Sequence, residues 1–100
     1  MALINVSAST LRTQAEALRQ YNTQFKTAVG DLETTEGQLN SMWEGEANTA
    51  FHNAFNSDKI QMSNFYNAIE AYVNALLNIA SKYEQAESAN VETANTRTYA

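Results

Sequence analysis

Apolar residues recur every three or four positions along both halves of this 100-residue chain, on either side of Trp43-Glu44-Gly45. This spacing is typical of amphipathic helices that pack side by side. The sequence has no proline and only three glycines, so few residues could interrupt a helix. We therefore predict an all-α fold built from one antiparallel two-helix hairpin.

The hairpin is expected to form a single domain over residues 1–100. The pattern predicts a first helix over about 7–42, with Ser7 among the residues suited to cap its start. It predicts a second helix over about 46–88, and no useful length of period-two alternation indicates a strand.

A sharp turn is expected at residues 43–45, because Gly45 suits the left-handed backbone that commonly ends a helix. Residues 89–100 contain few large apolar groups, and we expect them to form a flexible tail.

A short turn makes the two helices antiparallel neighbours, so residues at similar distances from it should meet, such as Phe25 and Phe65. The large apolar residues at heptad spacing are expected to form the dimer and core seam. They are Leu11, Leu18, Phe25, Leu32, Leu39, Phe51, Phe55, Met62, Phe65, Ile69, Tyr72, Leu76 and Ile79.

Each helix has more apolar surface than one neighbour can cover. Beside the seam we expect a second apolar strip, formed by Tyr21, Ala28 and Met42 on the first helix and by Tyr66, Val73 and Ala80 on the second. A lone hairpin would expose this strip, and exposed patches of that kind usually mark an interaction site. Two hairpins that pack their strips together would form a four-helix bundle, so a dimer is preferred to a monomer.

Polar residues also occupy seam positions, at Asn22, Glu36 and Asp58. One interpretation is that the seam is hydrated there, or drifts out of the core, because 3.6 residues per turn does not divide seven. The other is that these residues specify register and partner, as a buried asparagine can. His52, the only histidine, is expected to be an exposed polar residue on the outer face of the second helix.

Charge and composition exclude several functions. A formal net charge of −5 argues against nucleic acid as a partner and against electrostatic adhesion to anionic lipid. No apolar run approaches the roughly 20 residues that a membrane span needs. One histidine and no cysteine make a poor supply of metal ligands, and no glycine-rich phosphate loop exists. The sequence predicts neither an enzyme nor a cofactor.

A central Trp-X-Gly between two amphipathic helices in a chain of about 100 residues resembles the WXG family of small secreted proteins, related to the early secreted antigens of mycobacteria. Trp43-Glu44-Gly45 matches the motif that names the family. Tyr83-Glu84-Gln85-Ala86-Glu87 matches the family's C-terminal Tyr-X-X-X-Asp/Glu export signal. The resemblance covers nearly the whole chain.

The resemblance implies a non-enzymatic protein that is made in the cytoplasm and exported, folded as a dimer, by a type VII secretion system without a cleaved signal peptide. It implies that Tyr83 and Glu87 carry recognition by the membrane ATPase of that system, with help from Trp43 and Gly45. The resemblance implies that the protein acts as a secretion substrate or adaptor, and a role as a virulence factor is compatible with it.

Family members from Firmicutes usually self-pair, whereas mycobacterial members usually pair with a sister protein, and we favour a homodimer here. Two competing hypotheses remain: a membrane-active effector whose hairpin opens, and an intracellular coiled-coil scaffold. An acidic chain is poorly suited to stable insertion into membranes.

Overall fold

The computed structural model describes the backbone of residues 7–98 and the side chains of residues 7–89. Two long α-helices pack against each other, α1 (Ala8–Met42) and α2 (Glu46–Thr98), and this part of the chain contains no strand. The predicted all-α helical hairpin is confirmed.

Ser7 caps α1. Its Oγ accepts a hydrogen bond from the Thr10 backbone N–H at 3.1 Å, and its carbonyl oxygen accepts one from the Leu11 N–H at 3.0 Å. The cap satisfies amide groups that have no partner inside the first turn of a helix, which is why serine favours this position.

Residues 43–45 connect the helices. Gly45 has φ of +122°, a backbone conformation that side chains with a Cβ rarely adopt. Its carbonyl oxygen accepts a hydrogen bond from the Thr49 N–H at 3.2 Å, which begins the hydrogen bonding of α2. The glycine therefore permits the abrupt change of chain direction that the hairpin requires.

The second helix extends past the predicted end near Ser88 and continues to Thr98. As far as Thr98, a helical backbone replaces the expected flexible tail, and residues 99–100 lie outside the described residues. Neither glycine nor proline occurs between Glu46 and Thr98, so nothing in the sequence stops the helix.

The chain divides into two compact units. The first unit joins α1 as far as Leu18 to α2 from Ala71 onward. The side chains buried within it are small: Ala8, Ala15, Val73 and Ala80. Because the distance between packed helices depends on the side chains at the contact, these residues allow close approach of the two backbones.

The second unit runs from Arg19 to Glu70 and contains the turn. The Phe25 and Phe65 rings lie 5.2 Å apart, so the predicted antiparallel neighbours do meet. Lys26 Nζ lies 5.1 Å from the centre of the Tyr66 ring, within the range of a cation–π contact.

The expected second strip is wrong in part. Val73 and Ala80, which were expected to face a partner, are fully buried within the hairpin. Small side chains at the centre of the contact let the helices pack closely, and the larger side chains then lie to the side. Several predicted seam residues are exposed in the hairpin: Leu32, Leu39, Phe51, Phe65, Tyr72 and Ile79.

Candidate interaction surfaces

Asn22 is the buried polar link between α1 and α2. Its Nδ2 donates to the Tyr66 carbonyl oxygen at 3.1 Å and to Glu70 Oε1 at 2.9 Å. Its Oδ1 is buried and has no hydrogen-bond partner. These directional bonds favour the interpretation in which Asn22 specifies how the helices pair over the interpretation of a hydrated seam.

Glu36 and His52 form a second polar link, closer to the turn. Glu36 is 8% exposed, and its Oε1 lies in hydrogen-bonding contact with His52 Nδ1. Asn56 Nδ2 lies 3.2 Å from His52 Nε2. With the Asn56 amide as donor, Nε2 accepts and Nδ1 carries the proton that it donates to Glu36.

The expectation for His52 is therefore wrong. The side chain is 37% exposed and faces Glu36 rather than the outer surface. A buried carboxylate needs a donor, and His52 supplies one from the opposite helix. Asp58, in contrast, is exposed.

A third link is solvent-facing. Lys59 Nζ and Glu33 Oε2 lie 3.2 Å apart, and each side chain is more than two-fifths exposed. Ion pairs of this kind contribute at most about 1 kcal/mol, so this one guides the pairing of α1 and α2 only weakly.

The Trp-X-Gly turn presents a mixed aromatic and acidic surface. The Trp43 and Phe51 rings pack at 5.9 Å between centroids, tilted by 46°, and both remain partly exposed. Met42 is more exposed than either ring, and Glu44 is exposed beside them. Because aromatic anchors often dominate protein recognition, this turn is a candidate contact surface.

Large apolar side chains remain exposed in both units. In the unit from Arg19 to Glu70 they include Leu32, Leu39 and Phe65, each of which was predicted to lie in the seam. Exposed aliphatic and aromatic groups of this kind make the surface a candidate for contact with another molecule.

The remaining seam residues are half-buried. None of them is among the buried core residues. They are Leu11, Leu18, Phe25, Phe55, Met62, Ile69 and Leu76.

Tyr83 and Glu87, the predicted export signal, lie on α2 in the other unit. Both are exposed, and a spacing of four residues places them on the same helix face. Tyr83 lines a shallow groove together with Ile79, Lys82 and Ala86. The helix thus offers an aromatic ring and a carboxylate side by side.

Sequence reasoning missed the contact next to this motif. Arg12 Nη2 forms an ion pair with Glu84 Oε2, which joins the second turn of α1 to the segment between Tyr83 and Glu87. Glu84 and Glu87 lie close together in the sequence, and heptad spacing does not indicate which of the two pairs with Arg12.

Among the described residues, no group of three or more His, Asp or Glu side chains is arranged to hold a metal ion. Neither described helix contains an apolar stretch of the length that a membrane crossing requires.

Comparison with known proteins adds a family and a fold. Residues 3–88 match the model of the family described as "WXG100: Proteins of 100 residues with WXG". The secreted protein EsxB of Bacillus anthracis str. Sterne has a similar structure, with a TM-score of 0.77 and 22% sequence identity over 87% of this chain and 99% of that one. A point mutant of EsxB gives a TM-score of 0.76 at 22% identity over 89% and 98% of the two chains. No curated protein matches the sequence at a significant level.

Proposed function

The chain belongs to the WXG100 family, and we propose that it is a non-enzymatic protein that a type VII secretion system exports as a folded homodimer. WXG100 proteins are non-enzymatic structural or secretion proteins that form dimers and work with type VII secretion. EsxB, a structural neighbour, is described as a secreted protein. The proposal gives this chain the roles of secretion substrate and adaptor, while a role in virulence would require a target outside the cell.

The observation that carries the proposal is the placement of two family motifs on one hairpin. Trp43-Glu44-Gly45 forms the turn, with Gly45 in the backbone conformation that the turn needs. Tyr83 and Glu87 are exposed together on one face of α2. Both motifs are therefore accessible to a receptor while the hairpin is folded.

The uncovered apolar side chains support the dimer. The described hairpin fully buries little more than alanines and a valine, while residues as large as Leu32 and Phe65 are at least half exposed. Small scaffolds without disulfides or metals commonly gain stability by association. A second copy offers the same apolar surface, and a two-fold interface between identical surfaces is the commonest kind of oligomer.

Tyr83 and Glu87 are proposed as the residues that the membrane ATPase recognises. Tyr83 borders an apolar groove and is 44% exposed. An aromatic anchor beside a charged group is a compact recognition patch because the ring supplies contact area and the carboxylate supplies direction.

The test measures export and assembly separately. We expect Tyr83→Ala and Glu87→Ala each to abolish appearance of the protein in the culture supernatant. Gln85→Ala is the matched control, because Gln85 is exposed and lies between Tyr83 and Glu87 at a position that the motif leaves unspecified. Circular dichroism and sedimentation should show unchanged helicity and a mass of two chains in all three variants.

Normal export of both Tyr83→Ala and Glu87→Ala would contradict the assignment of the signal. A stable, well-folded monomer at high concentration would contradict the dimer. Retention in the cells despite an active secretion system would favour the scaffold hypothesis, and leakage of lipid vesicles would favour the membrane-active effector.

A further inference from the structure

The base of the proposed export signal is tied to the start of α1. Arg12 Nη2 pairs with Glu84 Oε2, and the two side chains are 40% and 60% exposed. Glu84 lies between Tyr83 and Glu87 in the sequence. The ion pair therefore joins α1 to the part of α2 that carries the signal.

Packing around this ion pair is close. Ala80, one turn before Glu84, is fully buried, as is Ala15 on α1, and Ala8 is nearly so. These small side chains hold the first turns of α1 against α2, which brings the long Arg12 side chain within reach of Glu84. Immediately beyond the ion pair, the side chains of residues 85–89 are all exposed.

The charge of Arg12 stabilises the helix locally, around Glu84. Glu84 and Glu87 are three residues apart on α2, and like charges at that spacing destabilise a helix. The Arg12 guanidinium balances Glu84 from the neighbouring helix and opposes fraying of this segment. Because the ion pair is exposed, its contribution to the stability of the whole hairpin is small.

We propose that Arg12 is a positioning residue for the export signal: through Glu84 it keeps the 83–87 segment helical and docked, so that Tyr83 and Glu87 are presented together. This inference rests on the proposed function, in which those two residues are recognised. Arg12 pairs with Glu84, so its effect on Tyr83 and Glu87 is carried by Glu84.

The experiment compares Arg12→Gln, Arg12→Lys and the control Lys59→Gln in the full-length protein. Lys59→Gln removes a different solvent-facing interhelix ion pair, with Glu33, from a different unit of the chain. Hydrogen exchange reports the local opening of residues 83–87, and the supernatant fraction reports export. Urea unfolding reports stability of the whole protein.

We expect Arg12→Gln to raise exchange at residues 83–87 by about two- to fivefold, the range that loss of an exposed ion pair produces. Export should fall with it, while urea unfolding stays within the range of the control. Arg12→Lys keeps the charge and should restore most of both signals. Lys59→Gln should leave exchange at 83–87 and export unchanged.

The inference would be overturned if Arg12→Gln and Lys59→Gln showed the same hydrogen exchange at residues 83–87. It would also be overturned if the two variants were exported equally. Failure of Arg12→Lys to recover either signal would also overturn it, because the effect would then not depend on charge. Tyr83→Ala, run alongside, separates the two proposals: if its export is blocked, only the role of Arg12 is lost, and if it is exported normally, the proposed signal is lost as well.

Discussion

Glu36 is a buried carboxylate that needs a hydrogen-bond donor. It is 8% exposed, and His52 on the opposite helix supplies the donor. His52→Leu would leave this carboxylate buried without its donor. Glu36→Leu would leave behind a histidine that is 37% exposed and can turn to water. The two single substitutions should therefore differ, although each removes the same hydrogen bond.

The magnitudes follow from that asymmetry. Loss of the donor to a buried polar group costs about 1–3 kcal/mol, and more where that group is charged. Water can reach this site past His52, so we expect His52→Leu to lower the free energy of unfolding by about 2 kcal/mol, within the range for an unsatisfied buried group. Glu36→Leu should change it by less than about 1 kcal/mol, and the double variant should lie close to wild type.

Urea unfolding followed by circular dichroism measures all four proteins, at one protein concentration because association in the proposed dimer would contribute to stability. The exposed pair Glu33–Lys59 serves as control, since Lys59→Leu should cost no more than about 1 kcal/mol. Equal costs for His52→Leu and Glu36→Leu would refute the reasoning. So would a double variant whose cost equals the sum of the two single costs, because the partners would then act independently.

Other positions give simpler tests by the same unfolding assay. Gly30→Ala and Gly37→Ala should each raise the free energy of unfolding by about 1 kcal/mol, because both residues are helical and an added Cβ would meet nothing within 4 Å; a loss of stability in either would contradict this. Gly45→Ala should lower the free energy of unfolding by about 1–3 kcal/mol. The space around Gly45 is equally open, but its φ of +122° strains any other residue. An unchanged free energy of unfolding would show that the turn rearranges. Asn22→Leu should raise it by about 1 kcal/mol, because it removes a buried acceptor that has no partner; marked destabilisation would show that the bonds to Tyr66 and Glu70 matter more.

The helices and their register were predictable because their causes are local. Heptad spacing, the scarcity of glycine and the absence of proline define two helices, and Gly45 marks the turn between them. A short connection then fixes which residues meet, and the contact of Phe25 with Phe65 follows. The end of α2 lies beyond the predicted one, because the scarcity of large apolar groups after Ser88 does not stop a helix that meets neither glycine nor proline.

The rotation of each helix about its own axis was not predictable in the same way. Rows of residues seven apart occur on several faces, and hydrophobicity alone selects the row with the largest side chains. The helices instead meet along rows that contain Ala15, Val73 and Ala80, where size rather than apolar character decides the approach. The pairing of His52 with Glu36 depends on that rotation, so it was missed for the same reason.

Within the candidate site, the motifs were predictable from the sequence and the contact between the helices was not. The motifs at Trp43-Glu44-Gly45 and Tyr83–Glu87 can be read from the sequence because each is defined by spacing along one chain segment. The ion pair of Arg12 with Glu84 joins residues far apart in sequence through one long side chain, and only the packed hairpin identifies it.

The small size of the buried residues has a consequence inside the cell. Among the described residues, three of the four buried apolar ones are alanines, each of which gains little free energy by leaving water. In the proposed dimer, contacts between chains would supply part of the driving force for folding, so dilution should shift the population toward unfolded molecules by mass action. A scarce chain would be degraded by proteases, whereas an abundant one would protect itself, and the rate of synthesis would help to set how much folded protein survives.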